Sequence, residues 1–251
     1  MMLRYLPTLV IGLMLLAGWE VYCTLASVSP LVLPAPSGIF RALFLNRAEI
    51  GSHALATFLV AALGFSLSVT FACATSVALH FTPWAERGLM PLFVISQTVP
   101  LVALAPLMIL WFGFGLLPKI LLVILVTFFP MLLSLLSGYR QTPDAFADLL
   151  ASMGASRWAI FRRATIPSAR PGFLAGLRIS ATYAIVATIF AEYAGARQGL
   201  GIYILSAKNN FRADLVLSAV VVSAALTLAL LGLIRLLDHL TAKGPQVRRD
   251  A

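Results

Sequence analysis

The chain has 251 residues, of which 61% are hydrophobic and only 11% are charged, and its mean hydropathy is +0.97. Soluble domains carry about 25% charged and about 45–50% apolar residues, so a water-soluble domain is excluded and the lipid bilayer is the expected solvent. The net charge of +9 would suit nucleic-acid binding, but the basic residues stand between apolar runs. That placement indicates a role in membrane topology, so nucleic acid is not an expected partner.

Six apolar runs are long enough to cross the hydrocarbon core, which requires about 20 apolar residues in a helix. They cover residues 5–27, 54–79, 88–111, 120–138, 173–192 and 215–237. For the first run a cleaved signal peptide is the alternative, which the length of the run disfavours. The sequence therefore predicts an all-α fold, an integral membrane bundle of six transmembrane helices that forms a single domain over residues 1–251.

Two features modify this simple bundle. Residues 38–47 carry apolar and basic side chains on opposite sides, which predicts a short helix lying on the membrane surface. The third span is interrupted by Pro91, Pro100 and Pro106. Each proline removes a helical N–H donor, so this span is expected to be irregular.

The distribution of lysine and arginine predicts the orientation of the bundle. Six spans place both chain ends on one side of the membrane, and that side carries eleven basic residues against six on the other. Arg178, the remaining one of the 18, lies within the fifth span. Because positive residues accumulate on the cytoplasmic side, we expect both termini in the cytoplasm. The longest hydrophilic interruption, residues 139–171, then faces the cytoplasm as well.

Two short helices are predicted within this loop. Thr142 is expected to cap the first, with Pro143 at its first position and Asp144 near the positive end of the helix dipole. Gly154 is expected to end that helix, because glycine readily adopts a positive φ. Ser156 is expected to cap the second helix. The loop is therefore expected to form a pair of helices hinged at the glycine.

The first of these helices carries an apolar stripe that a solvated loop does not need. Its members are spaced i, i+3, i+4 and i+7, and they are Phe146, Leu149, Leu150 and Met153. The second helix adds the aromatic residues Trp158 and Phe161. Such a stripe either packs against the helix ends of this chain or inserts into a groove on a partner protein, which is a known mode of recognition.

The same loop contains the segment Ala147-Asp148-Leu149-Leu150-Ala151-Ser152-Met153-Gly154, which is followed by Ile166-Pro167. This pattern resembles the EAA loop of bacterial ABC importer permeases. Asp148 stands where the pattern has glutamate, and Leu149 and Leu150 stand where it has small residues. These departures are typical of the branch that imports sulfonates, taurine, nitrate or vitamin precursors.

Further segments extend the resemblance over nearly the whole chain. They are residues 33–37, residues 96–113 of the third span, and Ala191-Glu192 with Gly199-Leu200-Gly201 after the fifth span. The resemblance implies a type I ABC importer permease-like fold in the bacterial inner membrane. It also implies a homodimer of such subunits, two copies of a cytoplasmic ABC ATPase and an extracytoplasmic solute-binding protein.

Nucleotide chemistry is expected on a partner subunit. The sequence contains no G-x-x-x-x-G-K-[ST] phosphate-binding motif, so ATP and Mg²⁺ are expected on the ATPase, with no cofactor in this chain. The chain is therefore expected to be a transport subunit and not an enzyme.

The resemblance also implies that the first loop helix, residues 143–153, seats in a cleft on each ATPase. The docking and coupling residues are then expected to be Asp144, Phe146, Asp148, Leu149, Leu150, Met153, Gly154, Ala155, Trp158, Phe161 and Pro167. Gly154→Asp is expected to uncouple transport from ATP hydrolysis while the chain still inserts into the membrane.

Polar residues within the spans are the candidates for the translocation path. We expect them to be Gln97, Thr98, Pro100, Thr127, Tyr183 and Glu192. Hydrogen bonding between helices is the alternative role for the hydroxyl and amide residues. Glu192 is a charged residue near the outer end of the fifth span, and it either ties the outer loop to the bundle or belongs to an outer gate.

An ion-coupled secondary transporter is the main alternative to an ABC permease, and a membrane-embedded enzyme is a second. The sequence shows neither two related halves nor a pair of carboxylates, and its three histidines are scattered. A lining that is apolar and aromatic with a few hydroxyls and amides suits a neutral or weakly polar planar solute, such as a pyrimidine or a flavin precursor like riboflavin. Taurine, other sulfonates, nitrate and bicarbonate stay open as solutes.

Overall fold

The computed structural model describes residues 6–241, and this part of the chain is helical without a β-strand. In chain order the helices are α1 (Leu6–Leu25), α2 (Pro36–Leu45), α3 (Arg47–Phe81), α4 (Pro83–Ser96), α5 (Leu101–Phe112), α6 (Leu116–Tyr139), α7 (Asp144–Ser152), α8 (Arg157–Ile160), α9 (Ile166–Ser168), α10 (Arg170–Tyr193), α11 (Leu200–Asn209) and α12 (Ala213–Thr241). A π-helix, Phe161–Thr165, joins α8 to α9. The predicted all-α fold class is confirmed. Residue 5, where the first predicted span begins, and both chain ends lie outside the described residues.

Five of the described helices are long and apolar enough to cross a membrane, namely α1, α3, α6, α10 and α12. The predicted third span differs from a continuous helix, because α4 and α5 meet at a bend of 99°. Counted as one broken span, this pair brings the number of candidate spans to six. The break has a local cause, since Pro100 has no N–H to donate and its ring disfavours a helical conformation at Val99.

Helices α6 and α10 form the most extensive helix pair, because small residues let their backbones approach closely. A Cβ atom added at Gly172 of α10 would lie 2.7 Å from the carbonyl oxygen of Ser134 and 3.0 Å from Cα of Gly138, both in α6. One turn later, a Cβ at Gly176 would lie 2.8 Å from Cβ of Ser134 and 2.9 Å from Sδ of Met131. The close contact therefore extends over two turns of each helix.

Gly172→Ala is expected to lower the melting temperature of the purified protein in detergent, because the added methyl group meets backbone atoms of α6. Overpacking of this kind costs about 1–3 kcal/mol. Gly232→Ala in α12 is the matched control, since nothing lies within 4 Å of a Cβ at that position. Equal melting temperatures for the two variants would contradict the close contact between α6 and α10.

Polar contacts fasten the helix ends. Asp238 of α12 accepts from the guanidinium groups of Arg178 at 3.0 Å and Arg170 at 3.2 Å, both in α10. This pairing accounts for the charge of Arg178 within the fifth predicted span. Glu20 of α1 accepts from the hydroxyl of Ser37 at 2.6 Å and from its backbone N–H at 2.9 Å, which ties α1 to the start of α2.

A short helix, α2, is present where residues 38–47 were predicted to form one, but it covers Pro36–Leu45 and packs against the bundle. Ile39 and Ala42 are buried, and the hydroxyl of Ser218 in α12 donates to the carbonyl oxygen of Ile39 at 3.0 Å. Helix α2 is therefore held by α12, and only its other side is exposed.

Candidate functional site

The predicted docking loop forms two helices, α7 and α8, between the ends of α6 and α10. Helix α7 begins at Asp144, so Pro143 precedes the helix and is not its first residue, and the predicted cap at Thr142 is also wrong. The Thr142 hydroxyl donates to the carbonyl oxygen of Tyr139 at 2.9 Å, so it closes α6 and does not open α7. Gly154 follows α7 with a φ of +80°, and Ser156 Oγ accepts a backbone N–H of α8 at 3.3 Å. The predicted helix stop and the second cap are therefore confirmed.

Two side chains of α7 and that of Met153, which directly follows the helix, form an exposed apolar stripe, which we call the docking stripe. Phe146 is 46% exposed, Leu149 is 56% exposed and Met153 is 75% exposed. Leu150 was predicted to belong with them, but its side chain is half-buried, and its carbonyl oxygen accepts the N–H of Ala155 at 3.0 Å. An apolar stripe left uncovered on a helix outside the bundle indicates an interaction surface.

Five aromatic rings meet where the loop joins the bundle, and we call this group the aromatic joint. Its members are His80 and Phe81 at the end of α3, Tyr139 at the end of α6, Trp158 in α8, and Phe161. The ring centroid of Phe161 lies between 4.8 and 5.6 Å from those of the other four. Phe161 is only 1% exposed, so its ring packs inside this chain. The prediction that Phe161 belongs to the docking surface is therefore wrong. Trp158 keeps 56% of its surface exposed.

The other predicted docking residues lie near the loop surface. Asp148 is exposed on α7, and Pro167 is exposed in α9. Pro167 also borders an apolar groove of about 450 Å³ formed by residues of α3, α6, α9 and α10. The groove is separate from the docking stripe.

Four of the six residues predicted for the translocation path line one cavity of about 600 Å³, and they are Gln97, Thr98, Pro100 and Tyr183. The cavity lies where the broken span passes α6 and α10, and apolar residues such as Phe129 and Val186 complete its wall. The side-chain amide of Gln97 donates to a backbone carbonyl of α6 at 3.4 Å. Among the described residues that line this cavity, none is charged.

Thr127 lies elsewhere, although it was predicted for the same path. Its side chain is buried, and its hydroxyl donates to the carbonyl oxygen of Val123 at 2.7 Å. The Thr127 carbonyl oxygen accepts from the hydroxyl of Ser180 in α10 at 2.8 Å. The Thr127 hydroxyl therefore bonds within α6, and the hydrogen bond that joins α6 to α10 comes from the Ser180 hydroxyl to the Thr127 backbone.

Glu192 also lies outside the cavity, in a buried group that we call the outer clamp, which consists of His53, Thr57, Glu192, Gly199 and Gly201. The fully buried carboxylate of Glu192 accepts from the hydroxyl of Thr57 at 2.9 and 3.0 Å and from the N–H of Gly201 at 2.8 Å. The Thr57 oxygen in turn accepts the first N–H of α11 at 2.7 Å. His53 Nδ1 accepts the N–H of Gly199 at 3.0 Å.

The clamp explains the Gly-Leu-Gly sequence at the start of α11. Gly199 has a φ of +138°, and a Cβ there would lie 2.2 Å from Cδ of Glu192. At Gly201 a Cβ would lie 2.3 Å from the carbonyl oxygen of Ile189. The glycines therefore let the positive end of α11 close over a carboxylate, which is a favourable place for a negative charge. Of the two predicted roles for Glu192, its hydrogen bonds match the tie, since they join the segment after α10 to α3.

His53 and Thr57 are the clamp residues that the sequence did not reveal. They lie one turn apart on the same side of α3, but their partners are 146 and 135 positions away in the chain. The only available signal is a pair of polar residues at i and i+4 near the start of an apolar helix. That signal does not identify a partner.

The spans are apolar, and the broken one borders an uncharged cavity. An exposed amphipathic helix lies between two of the spans. These features are those of a membrane permease. Residues 64–243 match the family described as "Binding-protein-dependent transport system inner membrane component". The chain belongs to this family, and it is a membrane-spanning permease subunit of an ABC importer. The predicted family is confirmed.

Individual proteins show the same likeness. The chain is 35% identical over 198 residues to the formylaminopyrimidine transport permease protein ThiX of Halalkalibacterium halodurans, which covers 78% of each chain. It is 33% identical over 244 residues to the taurine transport system permease protein TauC of Escherichia coli, which covers 93% of this chain and 89% of that one. A chain from an inward-facing structure of the MetNI methionine ABC transporter superposes with a TM-score of 0.57 at 16% identity. That superposition covers 78% of this chain and 97% of the other, and it shows a common fold.

Proposed function

We propose that this permease carries a neutral or weakly polar planar solute, such as a pyrimidine or a flavin precursor, into the cytoplasm. The observation that carries the proposal is the cavity of about 600 Å³, which has no charged side chain among its described lining residues. A sulfonate brings a permanent negative charge, and an unpaired charge is costly to transfer into such a site.

The polar groups of the cavity suit a heteroaromatic ring. The amide of Gln97 and the hydroxyl groups of Thr98 and Tyr183 can hydrogen-bond to ring nitrogens and carbonyl groups. The rings of Phe129 and Tyr183 can stack on a planar solute. The relative named for formylaminopyrimidine transport supports the same solute class, while the one named for taurine transport makes taurine the competing solute to test.

Two copies of a separate cytoplasmic ABC ATPase are proposed to hydrolyse ATP and to dock on the docking stripe of α7. The exposure of Phe146, Leu149 and Met153 supports this role. The absence of a phosphate-binding motif from the sequence supports placing ATP and Mg²⁺ on the partner, with no cofactor held by this chain.

Two copies of the chain, forming one permease domain each, are proposed to work with an extracytoplasmic solute-binding protein in the bacterial inner membrane. The cavity is open on one side, where Tyr183 and Val186 are exposed, so a second copy can complete its wall. The excess of basic residues on the side of the termini supports a cytoplasmic location for both chain ends.

Transport then follows alternating access. When the ATPases close on ATP, they move α7, and the bundle opens outward to receive the solute from the binding protein. ATP hydrolysis resets the bundle, and the solute leaves toward the cytoplasm.

Uptake into proteoliposomes that contain the permease, its ATPase and its binding protein tests the solute class. Radiolabelled aminopyrimidine, riboflavin and taurine are supplied in turn, with ATP on the ATPase side. We expect the aminopyrimidine or riboflavin to accumulate and taurine to stay at the level of the ATP-free control. Accumulation of taurine alone would show that the proposed solute class is wrong.

Tyr183→Ala is expected to lower the initial rate of uptake by roughly twofold to tenfold, because a stacking contact with the solute contributes about 0.5–1.5 kcal/mol. Tyr22→Ala is the matched control, since Tyr22 is also an exposed tyrosine of a candidate span but lies in α1, away from the cavity. The rates are measured in the same proteoliposomes at equal amounts of permease. An equal rate for the two variants would contradict the placement of the solute beside Tyr183.

A further inference from the structure

We propose that Phe161 is the positioning residue through which movement of α7 reaches the spans, and that the aromatic joint transmits the power stroke of the ATPase. This inference rests on the proposed docking of an ATPase on α7. It assigns a coupling role to a residue that does not touch the docking surface.

Helix α7 has little contact with the bundle except through α8. Among the helices it packs chiefly against α8. The backbone N–H of Ala155 donates to the carbonyl oxygen of Leu150 at 3.0 Å, which fixes the turn between them. A displacement of α7 is therefore passed to α8.

Helix α8 runs without a break into the π-helix that begins at Phe161. The N–H of Ile160 donates to the carbonyl oxygen of Ser156 at 2.9 Å, and the π-helix begins at the next residue. Trp158 and Phe161 lie on this unit with their ring centroids 5.6 Å apart. Phe161 therefore moves with α8 as one helical body.

Phe161 contacts two spans, α3 and α6. Its ring centroid lies 4.8 Å from that of His80 and 5.2 Å from that of Phe81 in α3, and 5.3 Å from that of Tyr139 in α6. The hydroxyl groups of Tyr139 in α6 and Ser76 in α3 lie 3.0 Å apart, so a hydrogen bond also joins the two spans. Closely packed groups do not deform continuously, so α3 and α6 must shift when Phe161 shifts.

These two spans extend from the aromatic joint to the cavity and to the outer clamp. Helix α6 supplies Phe129 and Pro130 to the wall of the cavity. Helix α3 carries Thr57 of the outer clamp at its other end. A single buried ring therefore connects the docking helix to the cavity wall and to the outer loop.

The test compares transport per ATP hydrolysed in the complete complex carrying Phe161→Ala. Coupling contributions of single residues within a network amount to about 0.5–2 kcal/mol, so we expect uptake per ATP to fall by about tenfold. Binding of the ATPase to the permease should stay within about twofold, because the docking stripe is unchanged.

Phe128→Ala is the matched control. Phe128 is a buried ring of α6 that contacts Phe71 and Phe93 and lies outside the aromatic joint. Both substitutions remove a buried ring, and both lower stability, but only Phe161→Ala should lower uptake per ATP. If Phe161→Ala does not fold, the pair Phe161→Leu and Phe128→Leu takes its place, with an expected fall of about threefold for the first alone.

Each outcome decides the inference. An unchanged ratio of uptake to ATP hydrolysis in the Phe161 variant overturns it, as does an equal fall in the Phe128 variant. Loss of ATPase binding in the Phe161 variant also overturns it, since the residue would then shape the docking surface. Failure of the wild-type permease to bind an ATPase overturns the docking proposal itself, and the inference with it.

Discussion

Leu149→Asp is expected to abolish ATP-driven uptake, because a charge in the middle of the docking stripe cannot be buried unpaired in a groove of the ATPase. Leu149 is 56% exposed, so the substitution removes little packing from the chain itself. An apolar anchor at the centre of an interface contributes about 2 kcal/mol or more. We therefore expect the affinity for the ATPase to fall by about 30-fold or more, and uptake to fall with it.

Ala151→Asp on the same helix is the control. Ala151 is exposed, and it lies two residues further on, about 200° round the helix from Leu149. The Ala151→Asp substitution introduces the same charge on the side of the helix away from the docking stripe, with a similar cost in helix propensity. Binding of the ATPase to permease vesicles is measured by co-sedimentation. An equal loss of binding in the two variants would contradict the assignment of the stripe as the docking surface.

Gly199→Ala is expected to have the largest effect on folding of any substitution considered. The position has a φ of +138°, and the added Cβ would lie 2.2 Å from Cδ of Glu192. Such a backbone conformation costs about 1–3 kcal/mol for a residue with a side chain. The displaced carboxylate also loses hydrogen bonds from Thr57 and Gly201, and bonds to a charged group contribute about 1.5–3 kcal/mol each.

The yield of monodisperse protein in detergent and its melting temperature measure this effect. Gly51→Ala is the control, because Gly51 lies in α3 with nothing within 4 Å of a Cβ and is expected to gain helix stability of about 0.5–1 kcal/mol. A Gly199→Ala variant that melts at the temperature of the Gly51→Ala variant would contradict the outer clamp.

Local features of the docking loop could be predicted from the sequence because they depend on neighbouring residues. The stop at Gly154 and the cap at Ser156 follow from backbone chemistry within one turn. Three of the four residues in the i, i+3, i+4, i+7 pattern are exposed as an apolar stripe, while Leu150 is turned inward by the fold of the loop. Periodicity identifies such a stripe but not its exact width.

Features that depend on distant partners could not be predicted. Phe161 stands between basic residues of a hydrophilic loop, and its ring is buried by packing against the distant ends of α3 and α6. The outer clamp depends on Thr57 meeting Glu192 across 135 positions. For the same reason Gln97 and Tyr183 were recognised as polar residues of spans, but only the fold shows that they share one cavity.

The energy source of uptake distinguishes an ABC importer from an ion-coupled transporter most directly. Proteoliposomes containing the permease and its binding protein are measured with and without the ATPase, with and without ATP, and with proton and sodium gradients collapsed by ionophores. ATP-driven transport by this permease predicts uptake only when the ATPase and ATP are both present, no effect of the ionophores, and loss of uptake with Leu149→Asp. Uptake without the ATPase that disappears when an ion gradient is collapsed would contradict it and would identify an ion-coupled transporter.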